Sequence, residues 1–199
     1  CDLDETGHNR NAKYELKKLF PELSTYQLFS TPKPTRLINK ILRISTKEDD
    51  IILDFFGGSC TTADSIFQVN AEDGGKRRFI MVQLQERHSE DNDVPDICSF
   101  GKERIRRAGK KIKEESPLTT QDLDTGFRVL KLDSSNMEDI YYTPKDISQA
   151  NLFSLVDNVK SDRTAEDLLF QVMLELGATL NSKIVTEVVA DKTIYNVAD

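Results

Sequence analysis

The sequence has no tryptophan and, among its 199 residues, only three cysteines and two histidines. Cys1, Cys60 and Cys98 are odd in number and far apart, so with the histidines they form neither a disulfide framework nor a zinc knuckle. This sparse use of cysteine is typical of a reducing, cytoplasmic compartment. No apolar run approaches the roughly 18 residues of a membrane span, and no charged-then-apolar leader opens the chain. We therefore predict no disulfide, no metal site and no membrane partner.

Positive charge is also in deficit, because 27 lysines and arginines face 34 aspartates and glutamates, for a formal net charge of -7. Such a surface does not attract nucleic acid or anionic membranes uniformly, so any DNA contact has to be local. The length suits one domain, or one domain with a small appendage. Because the chain starts with cysteine rather than methionine, we expect the N-terminal part of a longer protein to be missing.

The apolar pattern of the first half predicts alternating helices and strands. A docking helix is expected at 11–20, and a second helix covers 37–44 after the prolines of "TPKPT". Two short apolar runs, 51–56 and 78–84, have the pattern of strands buried on both faces, with a helix starting at Thr61 between them. Strand, glycine turn, helix and strand within about 35 residues form a βαβ unit. The predicted fold class is therefore α/β, with a mostly parallel sheet.

The second half predicts a basic helix, an edge strand, another helix and a hairpin, at 101–113, 126–135, 164–177 and 183–197 respectively. The basic helix allows two interpretations, phosphate contact on one side of a cleft or a solvated outer helix. We place the domain boundary so that residues 1–145 form the main domain and residues 146–199 form a small α+β extension.

The stretch "DIILDFFGGSCTTADSIF", residues 50–67, raises the question of what its glycine turn holds. Gly57 and Gly58 are adjacent and no lysine follows, so the turn satisfies neither the dinucleotide-binding fingerprint nor the P-loop pattern. Asp54 can pair with a cation, and the helix start at Thr61 presents partial positive charge to a carboxylate. A zwitterionic amino-acid group satisfies both. The alternative is an ordinary turn in a protein whose site lies elsewhere.

Four motifs resemble those of S-adenosylmethionine-dependent amino-methyltransferases that act on DNA. "DFFGGSCTTA" is similar to their motif I, "TPKP" to motif X, "RRFIMVQLQE" to motif II, and "ERIRRA" to the basic helix that follows. More narrowly, "DETGHNRNAKYELKKLF", "NAEDGGKRRFIMVQLQE", "DTGFRVLKLDSSN" and "DRTAEDLLFQVMLELG" resemble the C-terminal half of the modification (Mod) subunit of type III restriction-modification systems. The resemblance implies a Rossmann-like methyltransferase sheet, with S-adenosylmethionine bound by residues 1–145 and a helix-hairpin extension at 146–199.

The resemblance also implies the site residues. The cofactor loop would use the strand-end acid, an aromatic wall, and the small and hydroxyl residues of the turn, namely Asp54, Phe56, Gly58, Ser59, Thr61 and Thr62. Thr31 and Lys33 of motif X would close over the methionine end of the cofactor, and Gln83 or Glu86 would hold its ribose. Cys60 stands where the commoner pattern has glycine, so we expect a costly positive φ and weaker cofactor affinity there. A nucleophilic role for Cys60 is not expected, since no histidine is near in sequence.

The sequence contains no Pro-Pro pair, so it lacks the Asp/Asn-Pro-Pro-Tyr tetrapeptide at which this family meets the flipped adenine. We therefore expect no catalytic residue in this chain. The resemblance implies that the full-length enzyme methylates adenine N6 in double-stranded DNA, in the bacterial cytoplasm, as a Mod homodimer that also binds a Res helicase-nuclease subunit. Two alternatives remain, a non-catalytic assembly or specificity module with a vestigial cofactor loop and, more weakly, a nucleotide-dependent oxidoreductase.

Overall fold

The computed structural model describes residues 9–87, 96–138 and 158–198. Its contacts group into two compact units, residues 1–126 and 127–199. The boundary expected between 145 and 146 lies outside the described residues, so the division into a cofactor-binding part and an extension stays a prediction. Within the described ranges, no helix combines the length and the apolar character that crossing a bilayer requires.

The first unit alternates helices and strands as predicted. Its elements are α1 (Asn9–Leu19), α2 (Thr35–Ser45), β1 (Ile51–Asp54), α3 (Thr61–Asp73), β2 (Arg78–Met81) and α4 (Ile97–Glu115). The two strands pair in parallel, from Ile51 opposite Arg78 to Asp54 opposite Met81, and α3 connects them. The βαβ unit and the α/β class are therefore confirmed.

Burial of the two strands on both faces is a prediction that the described residues correct. Ile52 and Phe79 pack against the cluster of Leu42, Ile66 and Val69 that α2 and α3 supply. The opposite face is exposed at each of its strand positions, which are Ile51, Leu53, Arg78 and Ile80. The reason is that the described part of the chain covers only one side of this two-stranded sheet.

A second apolar cluster joins α1 to α4. Leu16, Phe20, Leu28 and Phe100 are buried together, and the rings of Phe20 and Phe100 stack with centroids 4.6 Å apart. Arg107 of α4 lies over the Phe20 ring, with its guanidinium carbon 4.4 Å from the ring centroid. The expected docking helix at 11–20 is therefore present, and it packs against α4 through this cluster.

The second unit contains α5 (Ala165–Glu175) and an antiparallel hairpin of β3 (Lys183–Val189) and β4 (Lys192–Ala198). Ala190 and Asp191 both have positive φ, as a two-residue hairpin turn requires. The predicted helix and hairpin are confirmed. The strand predicted at 126–135 is wrong, because the backbone of this segment pairs with no strand in the described part of the chain. The segment is held instead by the Arg128 guanidinium, which donates to the carbonyl oxygens of Leu180 and Ser182.

Candidate functional site

The Asp54 carboxylate holds the two ends of the glycine turn together. One oxygen accepts a hydrogen bond from the Phe56 amide at 3.1 Å, and the other accepts one from the Thr62 hydroxyl at 2.7 Å. Asp54 is the last residue of β1, whereas Thr62 lies in the first turn of α3. Each carboxylate oxygen keeps a further lone pair. Asp54 can therefore shape the turn and still accept a hydrogen bond from a ligand.

Two residues of the turn have left-handed backbone conformations, Gly58 with φ +50° and Cys60 with φ +56°. Cys60 thus adopts the positive φ that its side chain was expected to make costly, at about 1–2 kcal/mol. Its thiol is 6% exposed and packs on Gly101 of α4, where an added Cβ would lie 2.6 Å from Sγ. Burial of the thiol offsets part of the backbone strain.

Burial also decides the chemistry of the Cys60 thiol. Loss of solvation raises its pKa to about 11, against a smaller opposing effect of the Arg104 charge. A thiol with this pKa is protonated at neutral pH and is a poor nucleophile. The geometry therefore agrees with the expectation that Cys60 is not a nucleophile.

Arg104 of α4 is a residue of this site that the sequence analysis did not single out. Its side chain is completely buried and donates hydrogen bonds to Asp64, Ser59 and Thr61. A signal for it exists in the sequence, because Arg104 shares helical spacing with Gly101 and Ile105 on the inward face of α4. This signal is weak, because the same helix contains several other basic residues that face solvent.

The hydroxyl groups expected to meet a ligand carboxylate have partners inside the protein. Arg104 Nη1 lies 3.0 Å from Ser59 Oγ and 2.7 Å from Thr61 Oγ1, and the Thr61 hydroxyl also donates to the Lys33 carbonyl at 3.3 Å. Both residues are buried. What they can offer to a ligand is therefore the backbone amide and not the side chain.

The amides at the start of α3 are available for that purpose. Cys60 is the N-cap residue and has no side-chain oxygen to accept from them. Among the described residues, no hydrogen bond is formed by the amides of Ser59, Thr61, Thr62 and Ala63. Unpaired N–H groups at a helix N-terminus, together with the helix dipole, favour an anionic group.

The two candidates for the ribose differ in how their side chains are used. Gln83 Oε1 accepts a hydrogen bond from the Gly58 amide at 2.7 Å, and Gln83 Nε2 donates to the Leu84 carbonyl at 3.0 Å. The Gln83 side chain is thus committed to supporting the glycine turn. Glu86 is exposed, and among the described residues its one hydrogen bond is made by its backbone carbonyl, which accepts from the Ile97 amide at 2.9 Å.

The segment of motif X lies against the start of α3. Pro32 and Pro34 are buried, the Lys33 carbonyl accepts from Thr61, and the Thr35 carbonyl accepts from the Ser65 hydroxyl at 3.4 Å. The side chains of Thr31 and Lys33 are exposed on either side of Pro32. The backbone of this segment is therefore fixed, while its two predicted site residues point away from the buried core.

Most of the predicted residues lie in a cluster at the carboxyl end of β1, held by three separate sets of hydrogen bonds. These join Asp54 to Thr62, Gly58 to Gln83, and Ser59 to Thr61, which also donates to the Lys33 carbonyl. Phe56 borders the cluster with 82% of its surface exposed, its ring centroid 5.1 Å from that of Phe55. The side chains of Thr31 and Glu86 do not join the cluster. The arrangement offers amides to an anion and a carboxylate to a cation.

The basic helix α4 divides its charges between the interior and the surface. Arg104 is buried, and Arg107 pairs with Glu22 at 2.6 Å and Glu103 at 2.7 Å. Lys110 and Lys111 face solvent beside glutamates one turn later. The two arginines are therefore used within the protein, which leaves fewer residues for phosphate contact than the sequence suggested.

The glycine turn, its two strands and α3 fall within the part of the chain that matches a family of known proteins. Residues 3–92 match the DNA methylase family. This match covers motif X, motif I and motif II, and it confirms the resemblance to DNA amino-methyltransferases that the sequence predicted.

Individual relatives extend the similarity into the second half of the chain. The Mod subunit of the type III restriction-modification enzyme StyLTI from Salmonella typhimurium is 36% identical over 130 residues, which are 63% of this chain and 19% of that protein. The EcoP15I Mod subunit of Escherichia coli is 35% identical over 128 residues, 62% of this chain and 18% of that protein. The type II methyltransferase M.KpnI of Klebsiella pneumoniae is 36% identical over 80 residues, 40% of this chain and 18% of that protein. The chain thus spans about a fifth of the length of these relatives.

Proposed function

We propose that this chain is the cofactor-binding part of a site-specific DNA adenine-N6 methyltransferase, the Mod subunit of a type III restriction-modification system, and that its cofactor is S-adenosylmethionine. The observation that carries the proposal is the glycine turn, in which Asp54 clasps Thr62 while the amides at the start of α3 remain open. This turn lies in the segment that matches the DNA methylases.

The residues of the turn fit the charges of S-adenosylmethionine, which has one carboxylate and two cationic groups. The amides of Ser59, Thr61 and Thr62 would receive the carboxylate, and Asp54 would attract the ammonium. Phe56 supplies an exposed apolar surface, and Thr31 and Lys33 lie on the segment that packs against the same helix end. The bound cofactor supplies an electrophilic methyl group, and the chain's contribution is to bind and orient it.

Glu86 is the better candidate for the cofactor ribose. A carboxylate accepts hydrogen bonds from hydroxyl groups more strongly than an amide does. The Gln83 side chain is already engaged on both its oxygen and its nitrogen, whereas the Glu86 carboxylate makes no hydrogen bond within the described part of the chain. Gln83 then supports the site indirectly by holding the Gly58 amide.

The remaining functions belong to the intact protein. The 199 residues contain no Pro-Pro pair, so the groups that hold the flipped adenine lie outside this chain. We propose that the described β1–β2 pair is part of a larger Rossmann-like sheet, and that the intact protein binds double-stranded DNA, a second Mod subunit and a Res helicase-nuclease subunit in the bacterial cytoplasm. The named Mod relatives support this assignment.

A non-catalytic assembly module with a vestigial loop is the less favoured alternative. That hypothesis requires Cys60 to spoil the turn. Cys60 instead adopts the left-handed conformation that the turn needs, and the hydrogen bonds of Asp54 and Gln83 to the turn are intact. The loop therefore keeps the groups that a ligand would use.

The proposal is tested by calorimetric titration of the intact protein with S-adenosylmethionine and with its demethylated product. We expect saturable binding, weakened about tenfold or more by Asp54→Asn, because a charge-assisted contact is removed. Asp49→Asn is the matched control, since Asp49 is an exposed carboxylate just before β1 and outside the turn. Absence of binding by the unaltered intact protein would refute the proposal, and equal weakening by both substitutions would refute the role of Asp54.

A further inference from the structure

All three guanidinium nitrogens of Arg104 donate hydrogen bonds to the glycine turn or to the first turn of α3. Nε and Nη2 lie 3.2 and 2.9 Å from Asp64 Oδ2. Nη1 lies 3.4 Å from the Ser59 carbonyl oxygen, 3.0 Å from Ser59 Oγ and 2.7 Å from Thr61 Oγ1. The planar guanidinium fork therefore fixes two helices and the turn between β1 and α3 relative to each other.

The pairing of Arg104 with Asp64 also controls the charge behind the turn. Asp64 lies in the first turn of α3, and its side chain is 6% exposed. Beside the open amides of this helix end, an uncompensated carboxylate would repel the carboxylate of a ligand. Arg104 neutralises that charge from the buried side.

Further hydrogen bonds connect this pair to α2. Gln68 Nε2 donates to Asp64 Oδ1 at 2.9 Å, and Asn39 Nδ2 donates to Gln68 Oε1 at 2.8 Å. The network thus runs from α2 across α3 to α4. Within this network, Arg104 is the member that contacts Ser59 and Thr61 of the turn.

We propose that Arg104 is a positioning residue for the cofactor, one that holds the Ser59 and Thr61 hydroxyls inward so that their amides are presented to the ligand carboxylate. This inference rests on the proposed function for the identity of the ligand. In this role Arg104 keeps the turn ordered before any ligand binds, which a purely structural ion pair would not do.

Stability and positioning can be separated, because a buried ion pair is often replaceable by apolar residues of similar volume without loss of stability. The double substitution Arg104→Met with Asp64→Leu removes both charges and leaves no unpaired ion. Arg104→Lys keeps the charge but not the fork. Arg107→Met is the matched control. Arg107 lies three residues after Arg104 on the same helix, and its contacts are with Glu22, Glu103 and the Leu19 carbonyl and not with the turn.

Two measurements on the intact protein test the inference. The first is the affinity for S-adenosylmethionine by calorimetry, and the second is amide hydrogen exchange without ligand at Gly58 and Cys60, whose amides donate to Gln83 Oε1 and to the Gly57 carbonyl. For the double variant we expect a melting temperature close to that of the unaltered protein, cofactor affinity about tenfold lower or more, and faster exchange confined to the turn. Arg104→Lys should fall between, and Arg107→Met should change neither affinity nor exchange.

The outcomes separate this inference from the proposed function. Unchanged affinity and unchanged exchange in a folded double variant would overturn the positioning role while leaving cofactor binding in place. If the unaltered protein does not bind the cofactor, the proposed function fails, and the exchange rates of the Gly58 and Cys60 amides alone decide whether Arg104 orders the turn. Faster exchange throughout α3 and α4, instead of in the turn, would reduce Arg104 to a structural residue and contradict the inference.

Discussion

The two sides of the β1–β2 pair contrast in how completely the described chain covers them. On the covered side, Ile52 and Phe79 pack against the buried Ile66 and Val69 of α3. On the open side, Ile51, Leu53, Ile80 and Val82 alternate with the covered residues and are about half exposed. Apart from Arg78 on the open side and Asp54 on the covered side, the strand residues of both sides are apolar. The difference in burial therefore lies in what is available to pack against the two sides.

An apolar run therefore predicts that both faces of a strand are suited to burial. It does not predict that the described chain supplies the side chains that bury them. Strands buried on both faces are typical of parallel sheets with helices on each side. Here the covered side also carries the polar network behind the glycine turn, whereas the open side continues into the exposed rings of Phe55 and Phe56. The site therefore lies where the well-packed and the uncovered parts of the sheet meet.

The largest expected effect compares truncations on the two sides. Ile66→Ala removes a side chain with no exposed surface, so we expect it to lower the free energy of unfolding by about 2–5 kcal/mol. Leu53→Ala removes one that is 59% exposed and should change it by less than about 0.5 kcal/mol. Urea unfolding of this chain measures both. A loss at Leu53 as large as the loss at Ile66 would show that the open side is covered in the folded protein.

The sequence predicts those parts of the fold that depend on local chemistry. The apolar periodicity, the helix start at Thr61 and the turn after Val189 each specify their element within a few residues, so the βαβ unit and the hairpin were predictable. The strand at 126–135 was not, because an extended segment forms a strand only if a partner accepts its backbone hydrogen bonds. Its alternation of apolar and basic residues instead reflects the side-chain anchoring of Arg128.

The position of the candidate site was predictable, but the hydrogen bonds within it were not. The motif placed Asp54, Gly58 and Thr62 in one turn, where the Thr62 hydroxyl donates to Asp54 and the Gly58 amide donates to Gln83. Which polar groups face inward depends on a residue 40 positions away from Asp64, the buried Arg104. Long-range pairing of this kind leaves only a weak trace in a single sequence, here the occurrence of Arg104 on the apolar face of α4.

A smaller effect tests the backbone strain at Cys60, which lies in the glycine turn between the covered and the open side of the β1–β2 pair. Cys60 has positive φ, and its thiol packs on Gly101. Cys60→Ala keeps the left-handed strain and loses the buried sulfur, so we expect it to destabilise the chain by about 1 kcal/mol. Cys60→Gly loses the sulfur as well but relieves the strain, and we expect it to be about 1 kcal/mol more stable than Cys60→Ala. Thermal unfolding of the two variants makes the comparison. If the alanine variant is the more stable one, the left-handed conformation of Cys60 carries no cost.

The smallest effect, and the only one that depends on pH, concerns the start of α4, the helix that carries Arg104 on the covered side. Burial raises the pKa of the N-cap residue Asp96, but hydrogen bonds from the Ser99 amide and hydroxyl, at 3.0 and 2.9 Å, outweigh it and bring the pKa below its ordinary value. A carboxyl with a lowered pKa in the folded state contributes stability above its unfolded pKa and loses it as the pH falls through the folded value.

Asp96→Ala should therefore lower the free energy of unfolding by about 0.5 kcal/mol at pH 7, the lower end of what loss of a helix cap costs. The difference from the unaltered chain should shrink as the pH falls below the ordinary carboxyl range, because the protonated aspartic acid no longer caps the helix as a charged group. Asp49→Ala, an exposed aspartate outside any helix cap, is the control and should show no such dependence. A stability difference for Asp96→Ala that stays constant from pH 7 to strongly acidic conditions would mean that the carboxylate charge does not contribute, and that the cap acts only through the geometry of its hydrogen bonds to Ser99.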